Sequence, residues 1–390
     1  MMRRVAKFGS LLLSSALACG CSAAAAPATC DVPNIAPEQC ADAHAMALPV
    51  ALPASAGNKF ADDQNAAQLG FSLFFDSNLG TGVSCATCHS PERAFTDRAP
   101  VSTGKAKGNR NAPTTFNAAH LSVFFWDGRA DSLWSQALGP IENPVEMNST
   151  RLTLARTIRD RYQTAYESAF GALPDMSDWP ASGKPGDAAF DALSASVQDQ
   201  ANRLFVNVGK ALDAYMRKNA TSAGPLERFL AGDSTQLLEP AQRGLRVFLE
   251  NGCQSCHSGP MLTDEGFHDV GFPSLAGAEP DLGRAGGISL LENSPFNLQG
   301  PYADPGPAVA KARVPSAGPG DTGAFRTPSL RNLTQTFPYG HDGALPSLND
   351  VLAVHATALS DDDRGDLLAF FQSLNGSYPV PPWNNWPTPQ

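Results

Sequence analysis

Two pentapeptides of the pattern Cys-x-x-Cys-His hold the most chemically pointed residues of this chain. Cys85, Cys88 and His89 form the first, and Cys253, Cys256 and His257 the second. One copy alone could serve as a redox dithiol or as half of a zinc site beside a stray histidine. Two copies, 168 residues apart (253 − 85) and with no other Cys-x-x-Cys among 390 residues, point to covalent haem c. The two thiols add across the porphyrin vinyl groups, and the adjacent imidazole becomes the proximal iron ligand. The chain is expected to carry two such haems.

The remaining cysteines and the charge place these haems in a compartment. Arg3, Arg4 and Lys7 precede an apolar run of about eleven residues, Phe8 to Ala18, too short to span a bilayer and typical of an export signal. Cys19 follows a small residue, which suits lipoprotein processing and a lipid anchor there; ordinary cleavage near Ala23–Ala26 is the alternative. Either route predicts export to the periplasm, where c-type attachment takes place. Cys30 and Cys40 are expected to pair as a disulfide in that oxidising setting. The net charge of −10 becomes −13 once residues 1–18 and their three cations are removed, which argues against nucleic acid as a partner.

The elements that must position the haems are helical. Apolar spacing predicts helices over 62–75, 150–170, 201–218, 235–250 and 361–374, with a helix-like segment over 348–355. Nothing reads as sheet. The fold class is mainly α, two cytochrome-c-like haem domains with long irregular loops. The expected division is a signal peptide over 1–20, a leader or tether over 21–58 and an N-terminal haem c domain over 59–225. A C-terminal haem c domain follows over 226–376, then a tail over 377–390. The Gly/Pro/Ala/Ser-rich stretch 271–322 is too long for an idle connection and reads as a haem cover.

Beyond haem attachment, Trp126-Asp127-Gly128-Arg129-Ala130 is followed by Ala137-Leu138-Gly139-Pro140-Ile141-Glu142-Asn143-Pro144-Val145-Glu146-Met147. Later, Phe325-Arg326-Thr327-Pro328-Ser329-Leu330-Arg331-Asn332 runs into Pro338-Tyr339-Gly340-His341-Asp342-Gly343. In these motifs, and over roughly residues 60–375, the chain resembles the bacterial dihaem cytochrome c peroxidases, and within them the MauG and MbnH branch. The resemblance implies roles by position. Glu146, 20 residues after Trp126, matches the catalytic glutamate, and Gln136 the glutamine of the same pocket. A carboxylate there can take a proton from one peroxide oxygen and deliver it to the other. Without the family frame, Glu146 would read as a surface acid after a Pro-Val turn, and Trp126 as a core residue. The resemblance makes Trp126 the aromatic relay between the haems. It also implies a Ca²⁺ site held by Asn111 with the backbone carbonyls of Thr336 and Pro338, an all-oxygen donor set.

Two departures set the subtype. Peroxidases needing reductive activation carry a blocking histidine after the first haem motif, and Ser90 to Pro113 contains none. The first haem is therefore expected to be open. The sixth ligand of the second haem, methionine or tyrosine elsewhere in the family, falls at His355 (341 + 14), predicting a bis-histidine haem. A second imidazole leaves oxidised iron more accessible than a thioether does. Met261, His268 and His120 are weaker competitors, and His341 is assigned to the family's structural hydrogen-bonding histidine.

The reading is an exported dihaem peroxidase. It reduces hydrogen peroxide at the N-terminal haem, with electrons relayed through the C-terminal haem from a small donor protein, a cytochrome c or a cupredoxin. The alternative is a MauG- or MbnH-type oxidase that uses peroxide to oxidise side chains of a partner protein. A dihaem electron carrier is the non-enzyme reading, disfavoured because a carrier gains nothing from an open iron beside Gln136 and Glu146.

Overall fold

Thirteen α-helices are present among the described residues of the computed structural model, 29–313 and 315–387, and ten of them are labelled. The export signal, Cys19 and the start of the leader lie outside the described residues. The labelled elements run α1 (Cys40–Ala45), α2 (Gln64–Phe75), α3 (Leu133–Glu142), α4 (Arg151–Phe170), α5 (Ala195–Met216), α6 (Pro225–Leu230) and α7 (Glu239–Glu250), then β1 (Phe267–His268), α8 (Arg284–Glu292), β2 (Phe325–Arg326), α9 (Leu348–His355) and α10 (Asp361–Gln372). The mainly helical expectation holds. The one departure is a two-residue antiparallel pairing of β1 with β2, too short to leave a period-2 signal.

Two cores result. In the first, α2, α3, α4 and α5 bury Leu69, Leu73, Trp134, Ile158, Phe205 and Tyr215; in the second, α6, α7 and α10 bury Leu226, Phe229, Phe248 and Phe370. Each such side chain contributes about 1.5–3 kcal/mol on leaving water. The helix that leads into each Cys-x-x-Cys-His turn crosses the last helix of its half at a glycine. A Cβ on Gly70 would collide with the Ala211 carbonyl, and one on Gly244 with the Asp366 carbonyl. Only glycine permits these backbones to approach so closely.

The halves also share a backbone plan at a constant offset of 215 residues. Asn117 and Asn332 both adopt φ near +58°, are fully buried, and lead into one short helical turn. Each turn is followed by a bridge, Phe124 to Ala130 and Tyr339 to Leu345, folded around Gly128 and Gly343 at φ +67° and +69°. Across the seam the Asn111 N–H donates to the His341 carbonyl, and the Arg326 N–H to that of Trp126, each at 2.8 Å. These partners exchange under the same offset (326 − 111 and 341 − 126), so the halves face each other as the two sides of an isologous interface do.

Three expectations are corrected. The stretch read as a tether is packed: Val32, Ile35, Cys40, Ala43 and Met46 are buried in the second core, and Cys30 and Cys40 are disulfide-bonded. Further along, Arg217 donates to the Pro53 carbonyl and Trp134 to that of Ala56, so the segment crosses onto the first half. The tail packs too. Tyr378, Trp383 and Trp386 lie against Phe116, Phe71 and Phe95 of the first core, with ring centroids 5.0, 6.2 and 5.8 Å apart. The stretch read as a haem cover lies against the second site at its start, through Phe272 on His355, but most of it docks on α5 and the start of α3, through Phe296 on Phe205, Asp304 on Lys210 and Leu298 on Asp131. In all three, irregular backbone hid apolar and paired residues that have no helical period.

Candidate functional site

Each Cys-x-x-Cys-His motif closes a tight turn in which the histidine N–H donates to the first cysteine's carbonyl, at 2.9 Å for both His89 and His257. The imidazoles are then fixed alike. His89 Nδ1 lies 3.1 Å from the Phe95 carbonyl, and His257 Nδ1 lies 3.1 Å from that of Leu262. A carbonyl only accepts, so Nδ1 carries the proton and Nε2 keeps its lone pair for a metal. The carbonyls are aimed by left-handed backbone at Phe95 and Leu262, φ +56° and +51°, an uncommon conformation for such side chains. Burial pushes both imidazoles towards the neutral, ligating form.

The thiols fit the same group. Burial pushes Cys85 up to about 12 and Cys88 up to about 11, and raises Cys253. A redox dithiol needs the opposite shift, whereas a thioether carries no charge to desolvate. Among the described residues, no set of metal-ligating side chains converges on Cys85, Cys88 and His89 together. Covalent haem suits Cys85, Cys88 and His89, and zinc or dithiol chemistry does not; at the second motif Cys256 also lies within reach of Asp264 and His268.

Around His89 opens a cavity of about 560 Å³, within the usual range for cofactor sites. Its walls include Cys85, Cys88, His89, Asn111, Trp126, Gln136 and Glu146, so the structure gathers seven of the residues picked from the sequence. Gln136 rides on α3, whose first turn is capped by the Ser132 hydroxyl. Glu146 sits on the turn after α3, its N–H donating to the Asn143 carbonyl at 3.1 Å. Asn143 then returns its side-chain amide to Glu146 Oε1 at 2.6 Å. Sequence reasoning missed Asn143, because Asn-Pro reads as turn punctuation and a turn needs no further role for it. Trp126 is held at the seam by both ends. Its indole N–H donates to the Asn111 carbonyl at 3.0 Å, and its own carbonyl accepts from Arg326.

The second site lies at the end of α9. The His257 and His355 rings are 6.4 Å apart between centroids and steeply inclined at 87°. Two imidazoles on opposite sides of one metal, at metal–nitrogen distances of about 2 Å, would stand about that far apart. Phe272 packs edge-on against His355. Met261 and His120 instead line a separate cavity of about 400 Å³, and His268 is engaged by Asp264 at 3.0 Å. The His341 ring stacks on Phe325, centroids 3.7 Å apart, and its backbone carbonyl makes the bond to Asn111. Near it, the Thr336 and Pro338 carbonyls accept no hydrogen bond among the described residues, while the Asn111 amide donates to the Ala99 carbonyl at 2.9 Å.

Two helical halves, each built around a half-buried Cys-x-x-Cys-His turn with a singly protonated imidazole, define a dihaem c-type protein. Residues 64–235 match the family model described as di-haem cytochrome c peroxidase. The cytochrome c551 peroxidase of Pseudomonas aeruginosa is 33% identical over 339 residues, covering 83% of this chain and 84% of that protein. The methylamine utilization protein MauG of Methylophilus methylotrophus is 31% identical over 352 residues, covering 84% and 87%. The fold is shared with the diheme peroxidase BthA from Burkholderia thailandensis at a TM-score of 0.61 and 21% identity, covering 86% of this chain and 95% of that one. The chain belongs to the di-haem cytochrome c peroxidase family: it is a dihaem peroxidase, an enzyme that reduces hydrogen peroxide.

Proposed function

We propose that peroxide is reduced in the Cys85–His89 cavity, with electrons arriving through the His257–His355 site from a small exported donor protein, a cytochrome c or a cupredoxin. The observation that carries this is the meeting of His89, Gln136 and Glu146 in one cavity whose wall also includes Trp126. Haem bound there supplies the iron that coordinates peroxide and takes up the electrons. The chain supplies the proton handling. Glu146 accepts the proton of the nearer oxygen and returns it to the farther one, which leaves as water. Asn143 holds Oε1, so Oε2 is the oxygen turned to that task. Gln136 donates its amide to the bound oxygens. Over the full cycle one peroxide takes two electrons and two protons and gives two waters.

Trp126 is the relay between the sites: it belongs to the cavity wall and is bonded through its carbonyl to the backbone of the other half. Asn111 and the Thr336 and Pro338 carbonyls hold Ca²⁺ at this seam. Both carbonyls are without a hydrogen bond among the described residues, and oxygen donors are what that ion takes. Export to the periplasm rests on the N-terminal signal and is supported by the Cys30–Cys40 disulfide. Lipidation at Cys19 is the form of anchoring that the signal favours.

The test is the as-isolated ferric protein. One high-spin and one low-spin haem are expected in electron paramagnetic resonance, with peroxide reacting at once and without prior reduction. Two low-spin signals and a reaction that waits for reduction would overturn the open site. The MauG-like reading, oxidation of a partner's side chains, is the second one, since His355 is neither the methionine of the peroxidases nor the tyrosine of MauG. Peroxide consumed at one per two reduced cytochromes c supports the donor reading; no oxidation of any small donor supports the other.

A further inference from the structure

Among the described residues Arg326 forms no ion pair. It is 8% exposed and lines the cavity of Cys85 and His89, although it belongs to β2 of the other half. Its backbone N–H donates to the Trp126 carbonyl, which fixes it beside the relay residue. Its Nε is buried with no hydrogen bond, and its single side-chain contact is a long one of 3.4 Å from Nη1 to the Thr327 carbonyl. Glu265, the acid whose charge acts on it, is taken up by the Ser122 and Val123 N–H groups and the Ser122 hydroxyl. Burial holds the guanidinium below its ordinary range, and the Glu265 charge only partly offsets this.

A guanidinium stays protonated in proteins, and a buried, unpaired one costs several kcal/mol. Such a group persists where a ligand brings the counter-charge. The other cavity arginines are satisfied. Arg110 is divided between Asp127 and Asp281, and Arg129 is bound to Asp127. Haem carries two carboxylate side chains, and planar carboxylates are what the guanidinium fork matches.

We infer that Arg326 binds a carboxylate of the haem in the Cys85–His89 cavity and so reaches from the second half to clamp the first half's cofactor at Trp126. The inference rests on the placement of a haem in that cavity. The clamp has an electrical consequence. A cation beside the haem favours the reduced iron, and an ion-paired carboxylate stays charged across the neutral range. Without the arginine, the same buried carboxyl titrates nearer neutrality, because burial disfavours its anion.

The experiment is a spectroelectrochemical titration of both haems at several pH values, about 5.5 to 8.5, in wild type, Arg326→Gln and Arg326→Lys. Wild type should show a potential for the high-spin haem that is flat with pH. In Arg326→Gln that potential should be lower and should fall further as pH rises, the low-spin haem staying put. Arg326→Lys, which keeps the charge, should recover most of the wild-type value. Should Arg326→Gln not fold, Arg326→His carries the test, with a wild-type-like potential at the acid end and a lowered one at the alkaline end. An unchanged potential and pH profile in Arg326→Gln, equal shifts in the Gln and Lys variants, or a shift confined to the low-spin haem would overturn the inference. Haem counting separates the two levels: a wild type without two haems per chain refutes the cavity's occupant, whereas two haems with an unmoved potential refute only the clamp.

Discussion

Glu146 and Asn143 work as a pair within the first site. The 2.6 Å bond fixes one carboxylate oxygen and aims the other, so two variants separate charge from aim. Glu146→Gln should keep both haem spectra and slow peroxide turnover by about 100-fold or more, the scale of a lost general acid–base. Asn143→Ala leaves the carboxylate but frees it, and should cost about tenfold, the share of a hydrogen bond to a charged group. Steady-state peroxide assays on the haem-replete variants check both. At the second site, His355→Met should keep that haem low-spin and raise its potential, since a thioether favours ferrous iron. His355→Ala should turn it high-spin. Electron paramagnetic resonance with a redox titration decides, and a low-spin signal surviving His355→Ala would move the ligand elsewhere. Cys85 and His89 were legible in the chain because the short, fixed Cys-x-x-Cys-His spacing names them, whereas Trp126, Gln136, Glu146 and His355 entered only through the resemblance of longer motifs. Asn143 and Arg326 were not legible. Their meaning lies in what faces them, and for Arg326 in the absence of an ion pair among the described residues.

Among the elements, the joint between α2 and α4 shows how a terminus is closed. Asp76 ends α2, accepts from the Tyr162 hydroxyl of α4 at 2.7 Å and from the Asn78 N–H at 2.9 Å, and is paired with Arg161. Burial opposes its charge, yet these bonds outweigh it and hold the carboxyl below its ordinary 3.8. A depressed carboxyl contributes stability above its unfolded value and loses it as pH falls through the folded one. Asp76→Asn should therefore cost about 1–2 kcal/mol at pH 7. The gap to wild type should close well below pH 4, as read by chemical denaturation at both pH values. The long helices were visible in the sequence by apolar spacing, whereas α3, α6 and α8 were not. Pro140 lies inside α3, α6 has a single turn and a half, and α8 is embedded in a Gly-rich stretch. The offset repeat was hidden for another reason. What it preserves is backbone conformation, left-handed Asn117 and Asn332 and the turns at Gly128 and Gly343, while most side chains between them differ.

Over the whole molecule the ends are exchanged: the segment holding Cys30 and Cys40 seats on the second core, and the segment holding Trp383 and Trp386 on the first. A chain ending at Gly376 should lose about 3 kcal/mol from the N-terminal half, the share of two partly buried indoles and Tyr378. Thermal unfolding followed at the high-spin haem should shift down, while the low-spin haem's transition holds. Equal shifts of both would show that the tail stabilises the halves jointly. Neither seat was legible in advance, since each partner lies well over 150 residues away and the packing residues carry no period. The exchange also orders events in time. During synthesis the segment holding Cys30 and Cys40 emerges before the core it caps exists, and the aromatic rings that seal the first half follow both cores in the chain. The early half must wait, incompletely closed, for the late one. Each half is therefore completed by a segment that lies beyond the other in the chain.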